Sequence, residues 1–248
     1  MKEIRAELQK SRRRYHSLVA VFIALVVICW STQTGGEEAD RIEHGYSAFF
    51  YALPVMNTVV MPIGIAVLAS RLWDIETKEN HFRLLFTMQS RSTLFCSKSA
   101  LGLVQNLLIC AVEGTGLLAL GRIGGYTEVL DWTQFWWMMC ATFAVNMMLF
   151  FLLSGISICF QSQVPTLAVG MVGSLSGLFA AFMPSWVSRF MPWGYYIPLS
   201  AMYMDWNRYT REVRFLPVSY PVRMMAVTAG LLVVFAAASW QMLRRKEV

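Results

Sequence analysis

The chain has 248 residues, of which 56% are hydrophobic and 15% are charged, and its net charge is +6. Soluble domains contain roughly 25% charged residues, whereas residues 132–188 contain no Asp, Glu, Lys or Arg. These values exclude a soluble protein and predict one all-α integral membrane domain over residues 1–248. The basic residues flank apolar segments, where they set membrane orientation, so we predict no nucleic-acid partner. The five cysteines form no CxxC or Cys/His motif, so we predict no metal site.

Six apolar segments predict six membrane-spanning helices, since about 20 apolar residues cross a bilayer. In chain order they cover residues 18–30, 46–70, 99–121, 135–160, 164 to about 183, and 224–243. The first is short and needs residues 15–17 and 31–34 to cross. A cleaved signal peptide is the alternative for this segment, but no small-residue cleavage pattern follows it. The fourth and fifth segments are separated at residues 161–165, a polar break that contains a proline.

The Lys and Arg residues around these segments predict the side on which each connection lies. Six precede the first segment, five lie within residues 71–98 and three follow the last segment, against seven elsewhere. Because cytoplasmic connections carry the excess of Lys and Arg, both termini and residues 71–98 are predicted to be cytoplasmic. Residues 1–16 would form a basic amphipathic helix on that side of the plasma membrane. Residues 184–221, rich in aromatic side chains, would form a re-entrant or interfacial hairpin outside.

The segment between the second and third spans is the most highly charged in the chain, with eight charged residues among residues 71–98. Asp74 with Lys78, and Glu79 with Arg83, stand four residues apart in the acid-before-base order that stabilises a helix. We therefore predict a charged amphipathic helix that begins near residue 71 and lies beneath the bilayer. A surface helix that only connects two spans is the alternative interpretation.

The same segment contains Glu76, Lys78, Leu84, Leu85, Ser90, Arg91, Ser97 and Lys98 in a defined order. This pattern resembles the cytoplasmic coupling region of the permease subunits of type-2 ABC transporters. The usual proline before the Ser-Arg pair is absent, and Met88 and Gln89 stand in its place. Ser90 or Ser92 is also a suitable N-cap for the third span. The resemblance implies a helix that docks on an ATPase through Arg71, Asp74, Glu76, Lys78, Glu79 and Arg83.

The resemblance also implies which partners the chain needs. No G-x-x-x-x-G-K-[ST] motif for nucleotide phosphates occurs in the sequence. We therefore predict that this chain is not an enzyme, has no catalytic residues and binds no cofactor of its own. ATP and Mg would be bound by a separate cytoplasmic ATPase subunit. A second permease subunit, identical or paralogous, would complete the path through the membrane.

In size and layout the chain is similar to the lantibiotic-immunity permeases of Gram-positive bacteria. This finer resemblance implies the export of antimicrobial peptides from membrane lipid, which protects the cell. An ABC export permease for another cargo is the first alternative, with a drug, a bacitracin-like antibiotic, a lipid or a polysaccharide as cargo. A membrane sensor or scaffold that transports nothing is the second alternative.

Glu113 lies within the third span, where a carboxyl group is costly and usually faces protein or water. We predict that it contacts substrate, and a protonated packing residue is the alternative. Five aromatic residues of the last external connection complete the predicted substrate path, namely Trp186, Trp193, Tyr195, Tyr196 and Trp206.

Small and amide side chains inside the spans predict helix packing. Gly170, Gly173 and Gly177 lie along the fifth span, where small residues allow close helix approach. Whether they face this chain or a partner permease is left open by the sequence. Three further spans each contain one asparagine, Asn57, Asn106 or Asn146, and these predict hydrogen bonds between helices.

Overall fold

The computed structural model describes residues 15–34, 42–77, 90–160, 162–180, 182–206 and 213–246. Six apolar helices occupy much of this part: α1 (His16–Ser31), α2 (Gly45–Thr77), α3 (Arg91–Ile123), α4 (Trp132–Cys159), α5 (Gln163–Ala180) and α6 (Val222–Arg245). Helices α2 to α6 are each long and apolar enough to cross a membrane, whereas α1 has only 16 residues. The chain is a multi-pass membrane protein, and a crossing by α1 stays a prediction. The predicted amphipathic helix of residues 1–16 lies almost wholly outside the described residues.

Local capping places the helix boundaries near the predicted ones. The Ser90 hydroxyl accepts a hydrogen bond from the Thr93 backbone N–H at 3.3 Å and begins α3. The Asp131 carboxylate begins α4 by accepting from the Thr133 backbone N–H at 2.8 Å. Helix α4 ends at Cys159 and α5 begins at Gln163, so the polar break lies where the sequence predicts it.

Helices α2 and α3 are each 33 residues long. Such a helix measures about 50 Å, whereas the hydrocarbon core of a bilayer is about 30 Å thick. Both helices therefore extend beyond the bilayer, and their charged residues place the extension at the end of α2 and the start of α3. The prediction of a separate helix from residue 71 needs correction, because residues 71–77 contain no helix breaker and simply continue α2. Residues 78–89, which include the rest of that predicted helix, lie outside the described residues.

Successive helices alternate in direction, which gives the bundle two ends of different chemistry. The charged end contains the end of α2, the start of α3, the junction of α4 with α5, and the end of α6. The aromatic end contains the start of α2, the junction of α3 with α4, and residues 182–206 and 213–221. At the aromatic end the Glu128 carboxylate accepts a hydrogen bond from the Ser47 backbone N–H at 2.9 Å, which joins that junction to the start of α2.

Helices α2 and α4 form the centre of the bundle. Helix α2 packs against α1, α4 and α5, and α4 packs against α2, α3 and α6. Leu53 and Ile65 of α2 and Met148 of α4 are fully buried. Helices α5 and α6 leave apolar side chains exposed on their outer faces, where lipid tails are as apolar as the side chains themselves.

The connection between α5 and α6 differs from the all-α prediction. It contains a one-turn helix (Ser185–Ser188), a 3-10 turn (Pro192–Gly194) and two antiparallel strands, β1 (Met202–Trp206) and β2 (Val213–Pro217). Met202 pairs with Pro217 at one end of this hairpin. Aromatic and β-branched residues are frequent in both strands, and such residues favour the extended conformation. The helical prediction holds for the apolar segments, while the connection adds a small β-hairpin.

Candidate functional site

Three basic side chains tie neighbouring helices together at the charged end. Lys98 is fully buried and donates a hydrogen bond from Nζ to the Leu72 carbonyl of α2 at 3.0 Å. The Arg91 guanidinium donates to the Arg244 carbonyl of α6. The Lys246 ammonium donates to the Ile158 carbonyl near the end of α4. For Arg244 and Ile158, which lie in the last turn of their helices, such positive charge is favourable, because the last carbonyls lack partners inside the helix.

An apolar cluster lies beside these hydrogen bonds. It consists of Trp73, Leu94, Ile158 and Leu243, one residue from each of α2, α3, α4 and α6. All four side chains are buried. The four helices are therefore packed together directly at the charged end. A displacement of α2 or α3 would change their contacts with α4 and α6.

The predicted ATPase-coupling residues fall into two groups. Arg71, Asp74 and Glu76 belong to the last turns of α2, where Arg71 is exposed and Asp74 is buried. Lys78, Glu79 and Arg83 lie outside the described residues. The three cations that join helices through carbonyl groups were not predicted in that role, although Lys98 and Arg91 belong to the sequence motif. The sequence feature that could have indicated these three contacts is the position of each basic residue near the end of a helix.

A buried polar cluster lies inside the bundle and consists of Asn57, Glu113, Thr142, Asn146 and Tyr196. Asn57 Nδ2 lies 3.4 Å from Glu113 Oε2 and 3.5 Å from Thr142 Oγ1. The Tyr196 hydroxyl donates to Asn146 Oδ1 at 2.6 Å. Helices α2, α3 and α4 and the α5–α6 connection each contribute to it, so the cluster forms only when all four elements pack together.

Three atoms of this cluster have no hydrogen-bond partner among the described residues. They are Glu113 Oε1, Asn57 Oδ1 and Asn146 Nδ2. Glu113 is 0% exposed. Buried polar atoms without partners are costly, and in membrane proteins they often mark functional positions. Glu113 is therefore a polar site enclosed by protein rather than a residue that faces lipid.

A small cleft adjoins the buried polar cluster on the side of the aromatic end. Its volume is about 20 Å³. Phe50 and Pro54 of α2, Met138 and Thr142 of α4, and Tyr196 are among the side chains that line it. Thr142 and Tyr196 thus belong both to the cleft and to the cluster, whereas Glu113 and Asn57 do not line the cleft.

The aromatic residues predicted for the substrate path do not form one surface. Tyr195 and Tyr196 are buried, and Trp193 is half-buried. Trp186 and Trp206 are 67% and 56% exposed. The structure brings Tyr196 near Glu113 through the buried polar cluster, whereas the two exposed tryptophans lie on the outside of the molecule.

The glycines of α5 face this chain itself. A Cβ atom at Gly170 would collide with Ala66 Cβ and lie 2.9 Å from the Pro62 carbonyl of α2. A Cβ atom at Gly173 would meet the Trp193 ring, and one at Gly177 would lie 2.9 Å from the Trp193 carbonyl carbon. These contacts show that the glycine face of α5 packs against α2 and the α5–α6 connection of the same chain.

Among the described residues, no group of three His, Cys, Asp or Glu side chains is placed to hold a metal ion. A family model described as "ABC-2 family transporter protein" matches residues 3–177. This range contains α1 to α4 and nearly all of α5, and it includes the charged segment and Glu113. No curated protein sequence matches the chain.

Proposed function

The chain belongs to the ABC-2 family of transporter proteins and is a membrane permease, and we propose that it exports lantibiotic-type antimicrobial peptides for self-protection. Permeases of this family work in general with a partner ATPase subunit, which would bind ATP and Mg. The family match over residues 3–177 supports the function as a transporter permease. The choice of peptide as cargo rests on the resemblance in size and layout to lantibiotic-immunity permeases of Gram-positive bacteria.

The charged end would be the docking surface for the ATPase. The extensions of α2 and α3 beyond the bilayer support this, since the described residues at these ends, including Arg71 and Arg91, would lie outside the hydrocarbon core. Movement of the ATPase would reach the bundle through the Lys98–Leu72 hydrogen bond and the apolar cluster around Trp73. Both chain termini would lie on this cytoplasmic side, in line with the excess of basic residues there.

The substrate would enter from the aromatic end. Exposed tryptophans suit a peptide that is partly buried in lipid headgroups, because indole rings combine an apolar body with a polar N–H. Trp186 and Trp206 would receive the peptide, and Trp193, Tyr195 and Tyr196 would support that surface from within the fold. A second permease, identical or paralogous, would enclose the rest of the path.

Charge reversal at the proposed docking surface tests this function. The variant with both Glu76→Lys and Glu79→Lys should lose peptide resistance and peptide-stimulated ATP hydrolysis while it is still inserted in the membrane. Glu43→Lys is the matched control, because Glu43 is exposed near the start of α2 at the opposite end. Survival of cells against cationic lantibiotic-type peptides is the measurement. Full resistance in the double variant would contradict the proposal.

A susceptibility panel separates the possible cargoes. Cells with and without the transporter would be challenged with lantibiotic-type peptides, a bacitracin-like antibiotic and small hydrophobic drugs. Protection against the peptides alone supports the proposed function. Protection against only the other compounds moves the assignment to an ABC exporter of that cargo, and protection against none of them contradicts peptide export.

A further inference from the structure

An apolar groove lies between α3 and α4, in the half of the bundle next to the aromatic end. Its volume is about 520 Å³, which lies within the range of roughly 300–1,000 Å³ that is typical of ligand pockets. Its lining on α3 extends from Leu107 to Leu118, and its lining on α4 extends from Trp132 to Phe143. Since α3 ends and α4 begins at the aromatic end, the groove extends from that end towards the middle of the bundle.

The length of the groove matches one leaflet of a bilayer. Each of the two lining segments measures about 17 Å at the helical rise of about 1.5 Å per residue. Half of the hydrocarbon core is about 15 Å thick, whereas a membrane-spanning helix of a second chain would need a groove of about 30 Å. The dimensions therefore fit a lipid acyl chain better than a transmembrane helix.

The walls of the groove suit an apolar occupant. Thr115 carries the hydroxyl group among the described side chains that line it, and this hydroxyl already donates to the Ala111 carbonyl at 2.7 Å. The other lining residues are apolar or aromatic, apart from the thiols of Cys110 and Cys140. Since apolar surface gains free energy when it leaves water or polar headgroups, an acyl chain is the matching ligand.

The outer end of the groove carries groups that suit a lipid headgroup. Trp132 and Trp136 line this end and are 56% and 62% exposed, and tryptophan is frequent at the level of lipid headgroups. Arg122 is exposed in the last turn of α3, four residues beyond Leu118 and therefore on the same face of that helix. A guanidinium group binds phosphate oxygens through two parallel N–H donors.

Asp131 also lies at this end, as the N-cap of α4. Its carboxylate accepts hydrogen bonds from the backbone N–H groups of Thr133 at 2.8 Å and Gln134 at 3.4 Å. The positive end of the α4 dipole offsets part of this negative charge. Arg122 thus supplies positive charge for a phosphate at the outer end of the groove.

We propose that the groove between α3 and α4 binds an acyl chain of one phospholipid from the leaflet at the aromatic end, with Arg122 on the lipid phosphate. The chain would extend from the two tryptophans towards Leu107 and complete the packing between the two helices. The site is one for a resident lipid, and it does not depend on which cargo the permease exports.

Two brominated probes test the site on the purified full-length chain in detergent. Bromine atoms on an acyl chain quench nearby indoles, so binding beside Trp132 and Trp136 should lower the fluorescence. A phosphatidylglycerol with brominated chains should quench in a saturable manner. The matching diacylglycerol has no phosphate and should need about a tenfold higher concentration for half-saturation. Equal half-saturating concentrations, or quenching that does not saturate, overturn the proposal.

A bulky side chain inside the groove gives the second test. Ala111 is an exposed lining residue, so Ala111→Phe should fill the groove and abolish the saturable quenching. Ala237→Phe is the matched control, because Ala237 is exposed on α6 and does not line the groove. This control should keep the wild-type response. Saturable quenching that survives Ala111→Phe overturns the proposal.

If Ala111→Phe does not fold, Arg122→Gln tests the site from its outer end. Loss of the charge should raise the half-saturating concentration of the phosphatidylglycerol about tenfold and leave that of the diacylglycerol unchanged. An unchanged value for the phosphatidylglycerol overturns the role of Arg122.

A second copy of the chain is the alternative occupant of the groove. Light scattering of the same preparations distinguishes the two, because a lipid site leaves the oligomeric state of the Ala111→Phe variant equal to that of the wild type. A wild-type dimer that becomes a monomer in this variant overturns the proposal. The susceptibility panel tests the export function separately, and its outcome does not affect the lipid site.

Discussion

Replacement of Gly170 by alanine tests how closely α5 is packed against α2. The added Cβ would collide with Ala66 Cβ and lie 2.9 Å from the Pro62 carbonyl oxygen. Carbon atoms in favourable contact are about 3.5–4.0 Å apart. Neither neighbour can rotate away, because one is a Cβ atom and the other belongs to the backbone. The two helices must therefore move apart by about 1 Å to restore normal contacts.

The expected cost follows from two opposing terms. Overpacking costs about 1–3 kcal/mol, and the better helix propensity of alanine returns about 1 kcal/mol. We expect Gly170→Ala to lower the free energy of unfolding by about 0–2 kcal/mol, which is about 1–3 kcal/mol worse than a Gly→Ala change in a helix where the added Cβ meets no neighbour. The measurement is unfolding of the purified chain by titration with a denaturing detergent, followed by circular dichroism.

Two other glycines provide matched controls for this substitution. A Cβ atom at Gly230 of α6 meets nothing within 4 Å, so Gly230→Ala should be neutral or slightly stabilising. At Gly173 the colliding atoms are Nε1, Cδ1 and Cε2 of the Trp193 indole, which belong to a side chain and not to the backbone. Gly173→Ala should therefore be less destabilising than Gly170→Ala. If Gly170→Ala is as stable as Gly230→Ala, the close packing of α5 on α2 is refuted.

Three further predictions concern the two ends of the bundle. Glu128→Ala removes the carboxylate that accepts a hydrogen bond from the Ser47 backbone N–H at the start of α2. This variant should lower the free energy of unfolding by about 1 kcal/mol, and an unchanged value would show that the contact does not stabilise the fold. In single-cysteine variants an impermeant maleimide should label Cys29 in intact cells and Cys159 only after permeabilisation, and the reverse pattern would invert the predicted orientation. Burial lowers the pKa of Lys246 in the folded chain. Between the folded and the unfolded pKa, Lys246 is therefore protonated in the unfolded chain and largely deprotonated in the folded chain. Stability should thus rise as pH approaches the ordinary lysine pKa of about 10.4; Lys246→Gln should lose this rise in unfolding titrations, and an identical pH profile would contradict it.

Hydropathy predicted the positions of the apolar helices well because a long uncharged apolar run is a local feature of the sequence. The third apolar segment was predicted at residues 99–121 and lies inside α3 (Arg91–Ile123). The break after α4 was visible as a polar stretch with a proline, and Ser90 was recognised as a possible N-cap. These features depend on a few adjacent residues, so the sequence alone identifies them. The length of α2 was underestimated because charged residues end the apolar run without ending the helix.

The features that sequence reasoning missed depend on contacts between distant residues. The partner of Gly173 is Trp193, which lies in the α5–α6 connection, and no local pattern indicates that pairing. Glu113 was recognised as unusual, but its neighbours Asn57 and Thr142 come from two other helices. The β-hairpin was missed because its strands are only five residues long and follow a stretch of turns.

We propose above that the charged end of this permease binds an ATPase. The most direct test is purification of the tagged chain from its native membrane in mild detergent, with mass spectrometry of the proteins that accompany it. We expect an ABC ATPase in the wild-type preparation and its loss in the variant with both Glu76→Lys and Glu79→Lys. An intact, monodisperse wild-type chain that brings no ATPase with it would contradict the claim.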